Sequence, residues 1–431
     1  MPRFFIQSFG CRASQADGAA LEAQLCSRGL EHASDRCAAD FVVLNTCTVT
    51  AFADEDLRQT VRRVHRENPD TRILVTGCYA QRAPEELALL PGVEWVVGNS
   101  HKTEIADILT DDAHYHGQIL VGDIFACQDI LTAPVMDAAI DRSRPNLKIQ
   151  DGCNNRCSFC IIPFVRGRSR SSSADLIVEQ VRNLAARYRE VVLSGINLGR
   201  WGREPGSGMR LAGLLRRLLA ETEIARLRLS SVEPMDLSDD LLSLIAESPR
   251  IAKHVHAPLQ SGCDTVLRRM HRKYRPRHYA DRILKARRLM PDAAIGADVM
   301  AGFPGETDAE FDESRAFIES LPFTYLHVFT YSERPGTPAA EATDQVPMHV
   351  RKHRSRALRE LAAKKNLEFR RRMIGKKLSV VTLEEPGTAL SDNYLKVLMR
   401  EPRPSQQLID LQIGGASETA LQEAAPLTII T

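Results

Sequence analysis

Apolar positions in the first hundred residues fall into short runs separated by segments of helical period. Residues 4–9, 41–46 and 72–76 are dominated by β-branched and aromatic side chains, which suits short buried strands. Between them, 16–28 and 54–67 carry helical patterning. The βαβα order predicts a Rossmann-like parallel sheet with helices on its faces. Residues 101–146 show no strong period and read as a hairpin and a linker ending near Arg142-Ser143-Arg144-Pro145. From Leu147 the alternation restarts, with strands expected at 147–150, 190–194, 226–231, 254–259, 295–301 and 325–330. Ser172-x-x-Asp175 is expected to cap a helix whose apolar stripe is Leu176, Ile177, Val181 and Leu184. Six strands running one way predict a partial, curved parallel (β/α)6 barrel with its active site at the carboxyl edge. A helix over 350–372 then leads to strand-like stretches at 377–383, 394–399 and 408–413, read as a small all-β barrel. The expected division is therefore 1–112, a linker at 113–143, a central domain at 144–372 and a tail at 373–431.

Composition narrows the class. With 431 residues, 43% hydrophobic and 26% charged, the chain is long enough for two to four domains of ordinary globular make-up. No apolar run approaches the roughly 18 residues needed to span a bilayer. The opening Met1-Pro2-Arg3-Phe4-Phe5 lacks a signal peptide's apolar core, so a reducing cytoplasmic setting is expected. Ten cysteines then point to metal or redox chemistry, not to a disulfide scaffold. Net charge is only +2, but residues 351–377 hold 12 Lys and Arg against Glu360 and Glu368. A second basic run occupies 268–277. Either run serves as a nucleic-acid contact, Arg370, Arg371 and Arg372 foremost, or as a solvated helix face.

Cys153-Asn154-Asn155-Arg156-Cys157-Ser158-Phe159-Cys160 carries the sharpest chemistry. Thiols spaced C-x3-C-x2-C in one loop can ligate three irons of a 4Fe–4S cube and leave the fourth open to a small molecule. An open iron suits S-adenosylmethionine, whose sulfonium a low-potential electron can cleave to a radical. A zinc knuckle, which needs a fourth ligand, and a disulfide are the other readings of this spacing. Cys11, Cys47 and Cys78 each follow an expected strand directly. In a parallel sheet the carboxyl ends share one edge, so these three thiols should converge, as a second cluster or as separately buried cysteines. Cys26, Cys37, Cys127 and Cys263 lack partners at ligand spacing and read as small buried hydrophobes.

These cysteines and their flanks resemble the methylthiotransferases over essentially the whole chain. The resemblance rests on Asn45-Thr46-Cys47-Thr48-Val49-Thr50, Thr76-Gly77-Cys78-Tyr79-Ala80-Gln81, Gln150-Asp151-Gly152-Cys153 and Arg166-Gly167-Arg168-Ser169-Arg170-Ser171. His256-Ala257-Pro258-Leu259-Gln260-Ser261-Gly262 and the stretch Gly296 to Thr307 extend it. Thr-Val-Thr after Cys47 and His327-Val328-Phe329-Thr330-Tyr331-Ser332 look like the branch acting on threonylcarbamoyladenosine in tRNA. The sister branches act on isopentenyladenosine in tRNA and on an aspartate of a ribosomal protein. A non-catalytic iron–sulfur sensor or RNA-binding protein is the alternative from another class.

The resemblance implies replacement of the adenine C2 hydrogen by a methylthio group, with two 4Fe–4S clusters and S-adenosylmethionine. It implies cofactor contacts from Phe159, Gly195, Asn197 and Glu233, substrate orientation by Gln260, and a tight turn at Gly302-Phe303-Pro304-Gly305. The tail would be an RNA-binding TRAM domain, with Asn393 and Tyr394 at the tRNA anticodon loop. A low-potential donor such as flavodoxin or ferredoxin, an unidentified sulfur donor and a monomeric chain complete the expectation.

Overall fold

The computed structural model describes residues 1–110, 118–131 and 143–425. The amino-terminal sheet has six parallel strands in the spatial order Glu31–His32, Arg3–Ser8, Phe41–Thr46, Arg72–Gly77, Val93–Gly98 and Ile119–Leu120. The three central strands are apolar on both faces because helices cover both. Val42, Leu44 and Val75 face one core, and Val43 and Leu74 the other. Helices Arg12–Ser27 and Ala51–Glu67 provide much of that cover. The latter starts where the Thr50 hydroxyl accepts the Ala53 N–H.

Three strands here lie outside the sequence reading, the two-residue edge strand Glu31–His32 among them. Val93–Gly98 is unanticipated, and Ile119–Leu120 joins it in parallel, so the expected hairpin is not formed by the described part of 101–146. Two paired residues and a six-residue helix, Ile105–Thr110, are too short to leave a period. Much of the expected linker, at 111–117 and 132–142, lies outside the described residues.

The central region is the expected curved parallel arrangement. Asn146–Asp151, Glu190–Gly195 and Arg226–Leu229 run parallel, as do His254–His256, Ala294–Ala301 and Tyr325–Thr330. A parallel bridge from Leu227 to Ile251 joins the two sets. A short strand, Arg170–Ser171, turns back antiparallel on Asn146–Asp151. The cap of helix Ala174–Ala185 is Ser173, one residue later than expected, its hydroxyl accepting the Leu176 N–H.

Helix Met348–Arg372 hands over to a closed barrel of five strands. Lys377–Thr382, Lys396–Leu398 and Leu408–Ala416 fall where the pattern places them, and Thr388–Ser391 and Leu421–Glu423 complete the closure. The helix end is rooted in this barrel, since Phe369 and Met373 pack with Leu378, Val380 and Val397. Arg226 donates to Ser379 Oγ at 2.6 Å, and Arg228 donates to the carbonyls of Ser391 and Asp392, so the small barrel is seated on the central sheet.

Candidate active site

Gln150, fully buried on the first central strand, organises the cysteine loop. Its amide donates to the carbonyls of Asp151 and Gly152 at 2.8 Å, and its oxygen accepts the Asn197 N–H at 2.7 Å. Gly152 turns the chain at φ +69°, and a Cβ there would meet the Arg168 carbonyl oxygen at 2.0 Å. Cys153 then donates its N–H to Gly167 O, and Ser158 donates its own to Met270 O, fixing the loop at both ends.

Each of two thiols in this loop faces a donor. The Asn155 N–H lies 3.4 Å and the Asn197 amide 3.8 Å from Cys153 Sγ, and Arg272 Nη1 is 3.3 Å from Cys157 Sγ. Burial, then the neighbouring Cys157 sulfur, pushes the Cys160 thiol up to about 12, and burial also raises Cys153. Thiols so disposed need a cation to be held as thiolates, while N–H and guanidinium groups aimed at sulfur suit a thiolate-bound cluster. Next to them, Asn197 Oδ1 and Ser194 Oγ are buried without a hydrogen-bond partner among the described residues. Those orphaned atoms fit an additional polar ligand. Donor set and orphans together fit an iron–sulfur cube with S-adenosylmethionine.

The other expected cofactor residues share this end of the sheet. Gly195 makes room, since a Cβ would meet Gln150 Oε1 at 2.8 Å. Phe159 packs edge-on against Phe303 of the Gly302–Gly305 turn, whose glycines have φ of +76° and +71°. Glu233 is engaged by Arg272, so its carboxylate orients the guanidinium that faces Cys157. Arg272 belongs to the basic run at 268–277, several members of which pair within the chain while Lys273 and Arg277 stay exposed. Arg268 and Arg275 pair with Asp264 and Arg269 with Glu310.

The second triad forms as the strand ends imply. Thr46 and Gly77 are register partners on neighbouring strands, and Cys47 and Cys78 follow them. Gly10, at φ +89°, lies against Cys47, where a Cβ would sit 2.4 Å from Cys47 Cβ and 2.6 Å from its sulfur. Burial, then the sulfurs of Cys78 and Cys11, pushes Cys47 up to about 12. Ser14 Oγ lies 3.8 Å from Cys11 Sγ, and Asn99 Nδ2 lies 3.7 Å from Cys78 Sγ. Three converging thiols with polar groups against sulfur fit a cluster site as well. Of the remaining cysteines Cys263 is buried, whereas Cys26 and Cys37 are exposed and Cys127 half-buried, against expectation.

Between the triads lies a buried group of charges drawn from both halves. Arg166 Nη1 donates to Asp151 at 3.0 Å and Nη2 to Asp17 at 3.0 Å. Lys102 Nζ lies 3.0 Å from Asp17, and Lys148 bonds both Asp17 and Asp151. Asp54 adds a second link across the halves, accepting from Arg334 at 2.7 Å. On three adjacent parallel strands His256, Asp298 and His327 bring their donor atoms together. His256 Nε2 and His327 Nδ1 lie 3.3 and 3.1 Å from Asp298 Oδ1.

The RNA expectations meet a mixed outcome. Asn393 is buried, accepting from Ser391 and donating to Asp292 O at 3.0 Å, so it locks the barrel and is not presented to a ligand. Tyr394 stacks on His254 at 4.6 Å. Arg370 donates to Glu418 O and Arg372 to Pro291 O, while Arg371 is exposed. Arg351 and Arg354 of the same helix are buried in ion pairs with Glu333, Glu306 and Asp308. Lys352, Arg356, Lys364 and Arg371 remain exposed.

A family model for the radical SAM superfamily matches residues 147–318, and one for the Uncharacterized protein family UPF0004 matches 3–98. The radical S-adenosylmethionine methyltransferase TsrM from Kitasatospora setae shares the fold, with a TM-score of 0.59 at 16% identity over 79% of this chain and 77% of that one. Fold and thiol loop thus define a radical SAM enzyme. The Threonylcarbamoyladenosine tRNA methylthiotransferase MtaB of Aquifex aeolicus is 37% identical over 91% of this chain and 95% of its own. That of Bacillus subtilis is 38% identical over 92% and 90%. A tRNA-2-methylthio-N(6)-dimethylallyladenosine synthase from Acidothermus cellulolyticus is 33% identical over 100% and 88%. The chain belongs to the MtaB-type threonylcarbamoyladenosine tRNA methylthiotransferase family.

Proposed function

We propose that this chain installs a methylthio group on C2 of the adenine of N6-threonylcarbamoyladenosine in the anticodon loop of tRNA. One 4Fe–4S cluster would be held by Cys153, Cys157 and Cys160, and a second by Cys11, Cys47 and Cys78. The single observation that carries this reading is the pairing of two cysteine triads, each at the carboxyl edge of its own parallel sheet, across one buried charged interface. When bound, the clusters and S-adenosylmethionine supply the radical, the methyl group and a seat for sulfur, which a strong, unactivated aromatic C–H bond requires.

The chain's own residues prepare that chemistry. Asn155 and Asn197 donate toward Cys153, and Arg272 toward Cys157, stabilising negative charge on sulfur. Glu233 fixes the Arg272 guanidinium, and Gln150 holds the loop so that the thiols keep their spacing. Ser194 and Asn197 offer unpaired oxygens to the amino-acid part of the cosubstrate. Phe159 flanks the loop, braced edge-on by Phe303. The tRNA is bound by the exposed cations of helix Met348–Arg372 and by the terminal barrel. We assign the units to 1–112, 144–372 and 373–431, and expect a monomer in the cytoplasm supplied by a flavodoxin or ferredoxin. No helix among the described residues is long and apolar enough to cross a membrane.

Mass spectrometry of tRNA nucleosides from a strain lacking the gene tests the assignment. The 2-methylthio derivative should disappear while unmodified threonylcarbamoyladenosine accumulates, and a plasmid copy should restore it. An unchanged nucleoside profile would overturn the reading.

A further inference from the structure

Five side chains between the triads are almost wholly withdrawn from solvent: Asp17 and Asp151 against Lys102, Lys148 and Arg166. Two negative and three positive charges leave a net +1 in a buried place, and Arg170, 3.9 Å from Asp151, adds to it. A buried positive excess is costly unless a counter-charge lies close by. The nearest candidates are the amino-terminal thiols. Ser14 Oγ stands between Cys11 Sγ, at 3.8 Å, and Arg166 Nη2, at 3.3 Å. Asn99 joins Cys78 Sγ to the carbonyl of Val165, the residue before Arg166, and Cys78 packs on Val165. Arg166 Nε is buried and has no partner among the described residues, so one donor of the guanidinium is left over from its two carboxylates.

We propose that Arg166, with Lys102 and Lys148 behind it, is the counter-charge of the Cys11/Cys47/Cys78 cluster and sets its reduction potential. Reduction adds one negative charge to a cluster already carrying three thiolates. A fixed cation in a dry site favours the reduced form, and its removal lowers the potential. Asp17 and Asp151 hold the guanidinium in place without neutralising all of the local positive charge. Asp151 also accepts the N–H of Gly152, the neighbour of Cys153, so the same cation is anchored to the loop of the other triad.

This inference rests on the two-cluster reading above, and the test separates the two. In full-length protein with Cys153, Cys157 and Cys160 all changed to Ala, only the second cluster remains, and its potential is read by an EPR-monitored redox titration. Absence of any cluster signal in this background would count against the two-cluster reading itself. With the signal present, Arg166→Gln should shift the one-electron equilibrium at least tenfold toward the oxidised form, about 59 mV more negative. Arg166→Lys should restore most of the shift. Arg170→Gln, at the less buried rim, should move the potential the same way by a smaller factor. A structural role alone would lower thermal stability and leave the potential of the folded protein unchanged. Unchanged potentials in Arg166→Gln and Arg170→Gln would overturn the proposal. If Arg166→Gln yields no folded protein, Arg170→Gln alone decides it, in the same sense.

Discussion

Glu190 Oε1 accepts from Arg228 Nε at 2.6 Å, and neither side chain reaches solvent. Arg226 and Arg144 stand 3.5 and 3.6 Å from the same carboxylate. Burial alone would raise this acid, but Arg228, Arg144 and Arg226 together hold it at about 2, below its ordinary 4.5. The unfolded chain therefore takes up a proton near pH 4.5 that the folded chain refuses until about pH 2. Stability from this group is complete above pH 4.5 and is lost as the pH falls across that window. Glu190→Gln leaves the guanidiniums buried without their partner and should cost about 3–5 kcal/mol at neutral pH. Urea unfolding at pH 7 and pH 3.5 checks both points. The gap between wild type and variant should narrow in acid, and a small, pH-independent gap would refute the account.

Changing Cys153, Cys157 and Cys160 together to Ala should remove about half of the reconstituted iron and abolish 5′-deoxyadenosine formation. Iron analysis and chromatography of the nucleoside products measure the two. Continued cleavage of S-adenosylmethionine in the triple variant would sink the central assignment.

Cys11→Ala, Cys47→Ala or Cys78→Ala should uncouple the two half-reactions. The Cys153 loop is intact in each, so some 5′-deoxyadenosine still forms while methylthiolated nucleoside disappears. Normal yields of methylthiolated product would make the amino-terminal triad dispensable.

Binding of tRNA should weaken with salt at a log–log slope of about 0.7 to 0.9 per phosphate contact. Replacing Lys352, Arg356, Lys364 and Arg371 by Ala should flatten that slope, because these are exposed cations on the helix. Arg370→Ala and Arg372→Ala should chiefly loosen the helix from Glu418 and Pro291, seen as a lower melting temperature. Superimposable filter-binding lines for the four-site variant and wild type would retire the RNA role of this segment.

The two cysteine triads are legible because strand ends and loop spacing are local properties. The strands at 41–46 and 325–330 are read to the residue, since short runs dominated by apolar, aromatic and β-branched side chains favour a strand there. What escapes is decided by distant partners. Arg272 looks like one more cation in a basic run, and only its contact with Cys157, 115 residues away, gives it a place in the site. Asn393 looks available to RNA until its amide meets Asp292, 101 residues away. Strands of two to four residues, such as Ile119–Leu120 and Thr388–Ser391, are made by the sheet that receives them and leave no period of their own.

Gly10 carries a consequence for comparing chains. The space that its missing methyl would fill is already occupied by Cys47. A related chain with a side chain at the first position and a cysteine at the second must redirect its first loop, and with it the cysteine that follows. Steric exclusion therefore ties the two positions together, and a side chain at the first should go with loss of the cysteine at the second, and with it of a complete amino-terminal triad.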